Sequence, residues 1–110
     1  MRIVNRAEFL KLPSGILYSR YESLGTIRGL HSKLESLTND WIYQDVVGDI
    51  DEDENEFDEI FAKAEKDSSY EFRMDLNCGR RDGMFDDDDK FAIYNEEDIR
   101  RLIDRLNKLL

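Results

Sequence analysis

The chain has 110 residues, of which 40% are hydrophobic and 38% are charged, and its formal net charge is −10 at pH 7. This length is close to the common size of a single domain and excludes an enzyme with separate cofactor and substrate lobes. The negative charge argues against direct binding to nucleic acid or to an anionic membrane. We therefore expect a single α+β domain covering residues 1–110.

Cysteine content and hydropathy indicate the compartment. Cys78 is the only cysteine, so an internal disulfide is impossible, which favours a reducing environment. The first residues lack a long apolar run, and no stretch approaches the ~20 apolar residues of a membrane span. The sequence predicts a cytoplasmic protein with no membrane contact.

The first half of the chain predicts one short helix and three strands. Asn5 and Glu8 have the spacing of a capping box, and the helix that they open ends before Pro13. Strands are predicted over residues 16–21, 30–37 and 41–47, where aromatic and branched residues are frequent. A turn at residues 39–40 would make the second and third strands a hairpin.

The second half begins with an amphipathic helix from near Asp53 to near Lys66. Alternation of apolar and polar residues over 70–76 then gives the clearest strand prediction in the chain. Residues 78–83 are predicted to form a loop, and residues 91–94 the last strand.

A final helix is predicted to begin after Asn95, with three acids in its first turn and bases in its later turns. Its predicted apolar face consists of Ile99, Leu102, Ile103, Leu106, Leu109 and Leu110. The expected order is therefore αβββαββα. Such short runs favour an antiparallel sheet of about five short strands, packed on one side by helices.

Charge is concentrated in the middle of the chain. Residues 1–40 carry a local charge of +2, residues 41–98 carry −15 and residues 99–110 carry +3. Aromatic residues recur through the acidic middle, whereas disordered acidic segments are usually poor in them. We interpret this region as a folded acidic surface.

Two blocks of acids are candidates for binding a partner. Glu52, Glu56 and Glu59 share one side of the predicted second helix, and carboxylates about 5–7 Å apart approximate the charge spacing of a phosphate backbone. Such a surface can occupy the basic groove of a nucleic-acid-binding protein, although a purely solubilising role explains the composition equally well. The predicted contact residues are Asp49, Asp51, Glu52, Asp53, Glu56, Glu59, Asp86, Asp87, Asp88 and Asp89.

A metal site is not expected. Asp49, Asp51, Asp53 and Asn55 have the 1, 3, 5 and 7 spacing of a calcium loop. Position six of that loop is Glu54 instead of glycine, and position twelve is Ile60 instead of glutamate. Weak divalent binding is the most that this segment predicts, so we expect no cofactor.

The sequence also favours a protein that is not an enzyme. His31 and Cys78 are the only residues of their types, and a nucleophilic site would need one of them beside a suitable carboxylate. We expect His31 to be a surface or edge residue of a strand. No catalytic residues are predicted.

Two stretches resemble small, mostly uncharacterised proteins of bacteriophages and prophages. The first is Ile3-Val4-Asn5-Arg6-Ala7-Glu8-Phe9-Leu10-Lys11-Leu12-Pro13-Ser14-Gly15 with Asn39-Asp40-Trp41-Ile42-Tyr43-Gln44-Asp45, and the second is Arg81-Asp82-Gly83-Met84-Phe85 running into Phe91-Ala92-Ile93-Tyr94. In size and charge the chain is similar to anti-CRISPR proteins and other anti-defence inhibitors. The resemblance implies an inhibitor in the host bacterial cytoplasm that binds a defence protein or nucleoprotein complex, such as a CRISPR effector.

Two other hypotheses stay open. The chain could be a non-enzymatic phage adaptor that binds a host or phage protein through an apolar patch, such as Trp41 with Tyr43 or the Met84-Phe85 loop. It could also be an acidic domain tuned by calcium. Either a monomer or a small homo-oligomer is compatible with the sequence.

Overall fold

The computed structural model describes residues 1–47, 55–74, 76, 79–82 and 88–110. In these ranges the chain forms six β-strands, three α-helices and a short 3-10 turn at Ser23–Gly25. The elements are β1 (Arg2–Asn5), α1 (Arg6–Lys11), β2 (Ile16–Tyr21), β3 (Ile27–Ser36), β4 (Trp41–Asp45), α2 (Asn55–Lys66), β5 (Gly79–Asp82), β6 (Lys90–Ile93) and α3 (Glu96–Asn107).

All six strands belong to one antiparallel sheet, in the order β1-β6-β2-β3-β4-β5. The α+β class and the antiparallel sheet are therefore confirmed, whereas the number and order of the elements differ from the expectation. No helix in the described part of the chain is both long and apolar enough to cross a membrane.

Local signals in the sequence placed three features correctly. The Asn5 side chain accepts a hydrogen bond from the Glu8 amide at 2.9 Å, which starts α1. The Leu37 amide donates to the Asp40 carbonyl at 2.7 Å, which closes the turn of the predicted β3–β4 hairpin. Asn95 and Asp98 form a reciprocal capping box at the start of α3.

The strand predicted over residues 70–76 is wrong, because residues 70–74 and 76 have no strand conformation. The aromatic side of this segment packs against α2 instead, where the Phe61 and Phe72 rings meet edge to face at 5.4 Å. Phe72, Met74 and Leu76 nevertheless remain 41%, 56% and 56% exposed. The alternation of apolar and polar residues therefore does not mark a strand with one buried face here.

Two strands were missed. β5 occupies residues that were predicted as a loop, because its sequence Gly-Arg-Arg-Asp contains no apolar side chain to mark a buried face. Ion pairs hold it instead: Arg81 binds Asp40, and Asp82 binds Arg20. β1 has four residues, the last of which is the α1 cap Asn5, and these are too few to show a period.

The core lies between α1 and one face of the sheet. Phe9 of α1 is fully buried, and its ring lies 4.7 Å from those of Tyr18 and Trp41 and 4.2 Å from that of Phe91. Val4 and Ile93 complete the buried cluster. Since α1 has only six residues, its packing depends on this one aromatic anchor.

Two irregularities in β3 decide which of its side chains face the core. Residues 29 and 30 lie opposite a single residue of β2, and residues 34 and 35 opposite a single residue of β4. The second bulge puts Lys33 and Ser36 on the same side of the strand, and the Lys33 ammonium donates to the Ser36 hydroxyl at 2.7 Å. Lys33 Nζ also donates to the Leu12 carbonyl at 2.9 Å, just past the negative end of α1.

The apolar face of α3 does not pack as predicted. None of the residues of α3 is buried, and Ile103, Leu106 and Leu109 are 51%, 63% and 79% exposed. The expectation that this helix covers the sheet is therefore wrong. Within the described residues, the helix that covers the aromatic core is α1.

Candidate functional site

The predicted acidic surface is described only in part. Asp49, Asp51, Glu52, Asp53, Asp86 and Asp87 lie outside the described residues. Glu56 lies within α2, and Glu59 is an exposed residue of the same helix. Asp88 is exposed just before β6.

Asp89, one of the predicted contact residues, is paired within the fold. Its carboxylate lies 3.4 Å from the guanidinium of Arg6 and 3.8 Å from that of Arg20, and its side chain is only 26% exposed. Arg6 is itself buried and donates a second hydrogen bond, to the Asn39 carbonyl at 2.7 Å. The charge of Asp89 therefore holds α1 and β2 together and is partly neutralised within the fold.

The buried charges cancel among the described residues. Arg6 and Lys33 are the buried cations, and Asp40 and Asp82 are the buried anions. Two positive and two negative charges sum to zero, so the buried charged residues that the structure describes contribute nothing to the net charge of −10. Within the described part of the chain, the core therefore holds no excess of acids.

Exposed acids continue beyond the residues selected from the sequence. Glu65 near the end of α2, and Asp67 and Glu71 just after it, are all exposed. The hydroxyl and the amide of Ser69 donate to Asp67, which lowers the pKa of this carboxyl below its usual range. The segment from Glu59 to Glu71 is therefore a described acidic stretch on the surface.

The structure shows no metal centre in the part that it describes. No group of three or more His, Cys, Asp or Glu side chains there could hold an ion. The calcium-like acids at 49, 51 and 53 and the single cysteine at 78 lie outside the described residues.

A cleft on the core side of the sheet was not predicted. Tyr18, His31 and Asp45 are direct cross-strand partners on β2, β3 and β4, so their side chains form one row. His31 and Asp45 of this row line a cleft with a volume of about 480 Å³, together with Gly29, Leu30, Tyr43, Val47 and Arg80. His31 is on an internal strand, and its side chain is only 15% exposed, so the prediction of a surface or edge position is wrong.

Asp45 and Gly29 fix the position of the His31 ring, and Arg80 pairs with Asp45. Its Nδ1 lies 2.5 Å from an Asp45 oxygen, and Asp45 also lies 3.8 Å from the guanidinium of Arg80. Gly29 has φ +70°, and a Cβ at that position would collide with the imidazole, 2.8 Å from its Cε1. The bulge therefore brings the backbone under the His31 ring in a way that requires glycine. The sequence signal for this site was Gly29 directly before the predicted start of the strand.

The chemistry available in the cleft is polar contact. When neutral His31 donates from Nδ1 to Asp45, its Nε2 is the acceptor. None of the seven lining residues that the structure describes is serine, threonine or cysteine. The arrangement explains the position of the only histidine.

The apolar patch proposed from Trp41 and Tyr43 does not form as predicted. Trp41 is fully buried, and its indole N–H donates to the Tyr18 hydroxyl at 2.8 Å. Tyr43 is half-buried beside His31, with ring centroids 5.2 Å apart. The Met84-Phe85 loop lies outside the described residues.

Comparisons with protein-family models, curated proteins and solved structures find no match to this chain. The site must therefore be argued from its charge and geometry alone.

Proposed function

We propose that this chain is a phage-encoded, non-enzymatic anti-defence protein. It binds a basic, nucleic-acid-handling surface of a host defence complex, such as a CRISPR effector, in the bacterial cytoplasm. The observation that carries the proposal is the set of exposed acids on and after α2, which are Glu59, Glu65, Asp67 and Glu71, in a small chain whose net charge is −10. A protein of this charge attracts a nucleic-acid-binding groove over the distance of the Debye length, about 10 Å at 0.1 M salt.

The exposed acids on and after α2 support this function. Glu59, Glu65 and Glu71 are exposed, and Glu56 lies one helical turn before Glu59. Carboxylates at this helical spacing lie about 5–6 Å apart at their Cβ atoms, close to the spacing of phosphates along a strand. Binding to a basic partner then rests on electrostatic complementarity, which makes association fast and the affinity strongly dependent on salt.

The contacts of Asp89 limit which substitutions can test the acidic block at residues 86–89. Reversing its charge would place a cation against the buried Arg6 and would alter the fold together with the surface. Substitutions that test binding should therefore leave Asp89 intact and neutralise predicted contact acids between residues 49 and 59.

The test compares two variants that have the same net charge. The test variant carries Asp51→Asn, Glu52→Gln, Glu56→Gln and Glu59→Gln. The control variant carries Glu8→Gln, Glu35→Gln, Glu97→Gln and Asp104→Asn, all at exposed positions outside α2 and the segment that follows it. Each protein is immobilised and incubated with lysate of bacteria that express CRISPR defence complexes, and bound proteins are eluted with salt or competing duplex DNA and identified by mass spectrometry.

We expect the unsubstituted protein and the control to retain a nucleic-acid-handling complex that ~0.5 M salt or duplex DNA releases, because the Debye length is then only a few Å. The test variant should lose this capture while keeping its melting temperature. Equal retention by both variants would refute the assigned surface. A partner that resists salt and has no nucleic-acid function would refute mimicry and favour the adaptor hypothesis.

A further inference from the structure

The apolar side of α3 is a surface without a partner in the described chain. Ile103, Leu106, Leu109 and Leu110 are 51%, 63%, 79% and 104% exposed, and Leu102 is half-buried. Leu102, Ile103 and Leu106 lie on one side of the helix, and Leu109 and Leu110 follow directly after its end. A contiguous apolar stripe of this kind marks an interaction surface.

This helix is already formed before any partner binds. The Asn95 side chain accepts from the Asp98 amide at 2.8 Å, and the Asp98 carboxylate accepts from the Asn95 amide at 3.1 Å. Arg100 also binds Glu96 one turn away, at 2.6 Å. Since the helix is ordered by its own cap, docking would not require the chain to fold first.

Charge along α3 identifies a second copy of this chain as the occupant. Residues 96–110 contain four acids and four bases, so this segment is neutral in a protein of charge −10. Two copies repel each other through their net charge but can approach along this neutral segment. Acids lie at 96–98 and bases at 100 and 101, and the second half of the segment holds one acid at 104 and bases at 105 and 108. The first half is therefore net negative and the second half net positive, so antiparallel helices place opposite charges beside each other and oppose the two helix dipoles, whereas parallel helices place like charges together.

A groove along α3 adjoins this surface at Leu102. It has a volume of about 460 Å³, and its apolar lining comes from Met1, Tyr94 and Leu102. Met1 is 53% exposed. The other lining residues are charged and lie along α3 and at its end: Asp98, Arg101, Asp104, Arg105 and Lys108.

We propose that α3 is a homodimerisation surface, on which two copies pack antiparallel through Leu102, Ile103, Leu106, Leu109 and Leu110. The inference does not depend on the proposed function. Its consequence is a dimer that carries two copies of the acidic surface, which would give the protein two-point attachment to an oligomeric target.

The first experiment measures the oligomeric state of the full chain by sedimentation equilibrium over a wide concentration range. The test variant is Leu106→Gln, and the matched control is Leu24→Gln, because Leu24 is 99% exposed and lies far from α3 in the sequence. We expect a dimer for the unsubstituted chain and the control, and about tenfold or greater weakening of dimerisation for Leu106→Gln, from the lost burial of a leucine. A monomer at every concentration, or a dimer equally unaffected by both substitutions, would overturn the proposal.

The second experiment tests the direction of the helices. In a Cys78→Ser background, Ile99→Cys and Leu109→Cys are prepared as separate proteins with different mass tags and oxidised alone and mixed. Antiparallel packing predicts disulfides between the two variants in the mixture and few within either variant alone. Self-linked Ile99→Cys and self-linked Leu109→Cys without the mixed product would show parallel helices and contradict the charge argument.

Discussion

Replacing Phe9 with alanine tests whether one side chain of a six-residue helix organises the core. Phe9 is fully buried, and three aromatic rings lie within 4.7 Å of its ring. Truncation of a buried phenylalanine removes its transfer free energy and leaves a cavity, at a cost of about 3–5 kcal/mol. Such a loss is a large fraction of the ~5–15 kcal/mol that stabilises a typical domain.

Trp41 provides the probe for this measurement, because it is the only tryptophan and is fully buried. Urea unfolding followed by its fluorescence should show the midpoint falling by roughly 2 M for Phe9→Ala, at a typical slope of about 2 kcal/mol per M. The matched control is Phe72→Ala, since Phe72 is 41% exposed and contacts only the rings of Phe61 and Tyr70 among the described aromatic pairs. A loss of unfolding free energy below about 1 kcal/mol for Phe9→Ala, or one no larger than that of the control, would refute the conclusion that Phe9 anchors α1 on the sheet.

Three further substitutions probe single contacts. Tyr18→Phe removes the acceptor of the Trp41 indole N–H and should cost about 1–3 kcal/mol at pH 7 in urea unfolding. Because burial raises the pKa of Tyr18, its phenol ionises first in the unfolded chain, so the deficit of the variant should shrink as the pH rises above ~10; a constant deficit would contradict this. Gly29→Ala should cost about 2 kcal/mol, since φ is +70° and the methyl group meets the His31 ring; unchanged stability in the same assay would show that the bulge can relax. Asn95→Ala should fray α3 by about 1 kcal/mol, measured by hydrogen exchange of its first amides, with little change in global unfolding; equal losses in both measurements would mean that α3 is part of the cooperative core.

Features set by neighbouring residues were predictable from the sequence. Asn5 and Asn95 were assigned as helix caps because a cap depends on a side chain and an amide three residues away. The β3–β4 turn was placed for the same reason, since its hydrogen bond joins residues three apart. The α+β class follows from the alternation of such short elements.

Features set by distant contacts were not predictable. β5 has no apolar side chain and is held by ion pairs of Arg81 with Asp40 and of Asp82 with Arg20, which join residues far apart in the chain. The environment of His31 likewise depends on Asp45 from the next strand and on a bulge at Gly29. A charge count could predict that acids are abundant, but not which of them are used inside the fold.

The aromatic core explains why some acids belong to the fold and others to the surface. The guanidinium of Arg6 lies 4.9 Å from the centre of the Trp41 ring, and that of Arg20 lies 5.8 Å from the centre of the Phe91 ring, so two cations border the aromatic cluster. These cations need anionic partners at the edge of the core, and Asp89 contacts both of them. Asp89 is therefore a structural acid, whereas the exposed Glu59 is available for electrostatic contact with a partner. Substitution of Asp89 should lower stability and binding together, and substitution of Glu59 should lower binding alone. Binding that falls in proportion to stability across both variants would leave the acidic surface with no function beyond folding and solubility.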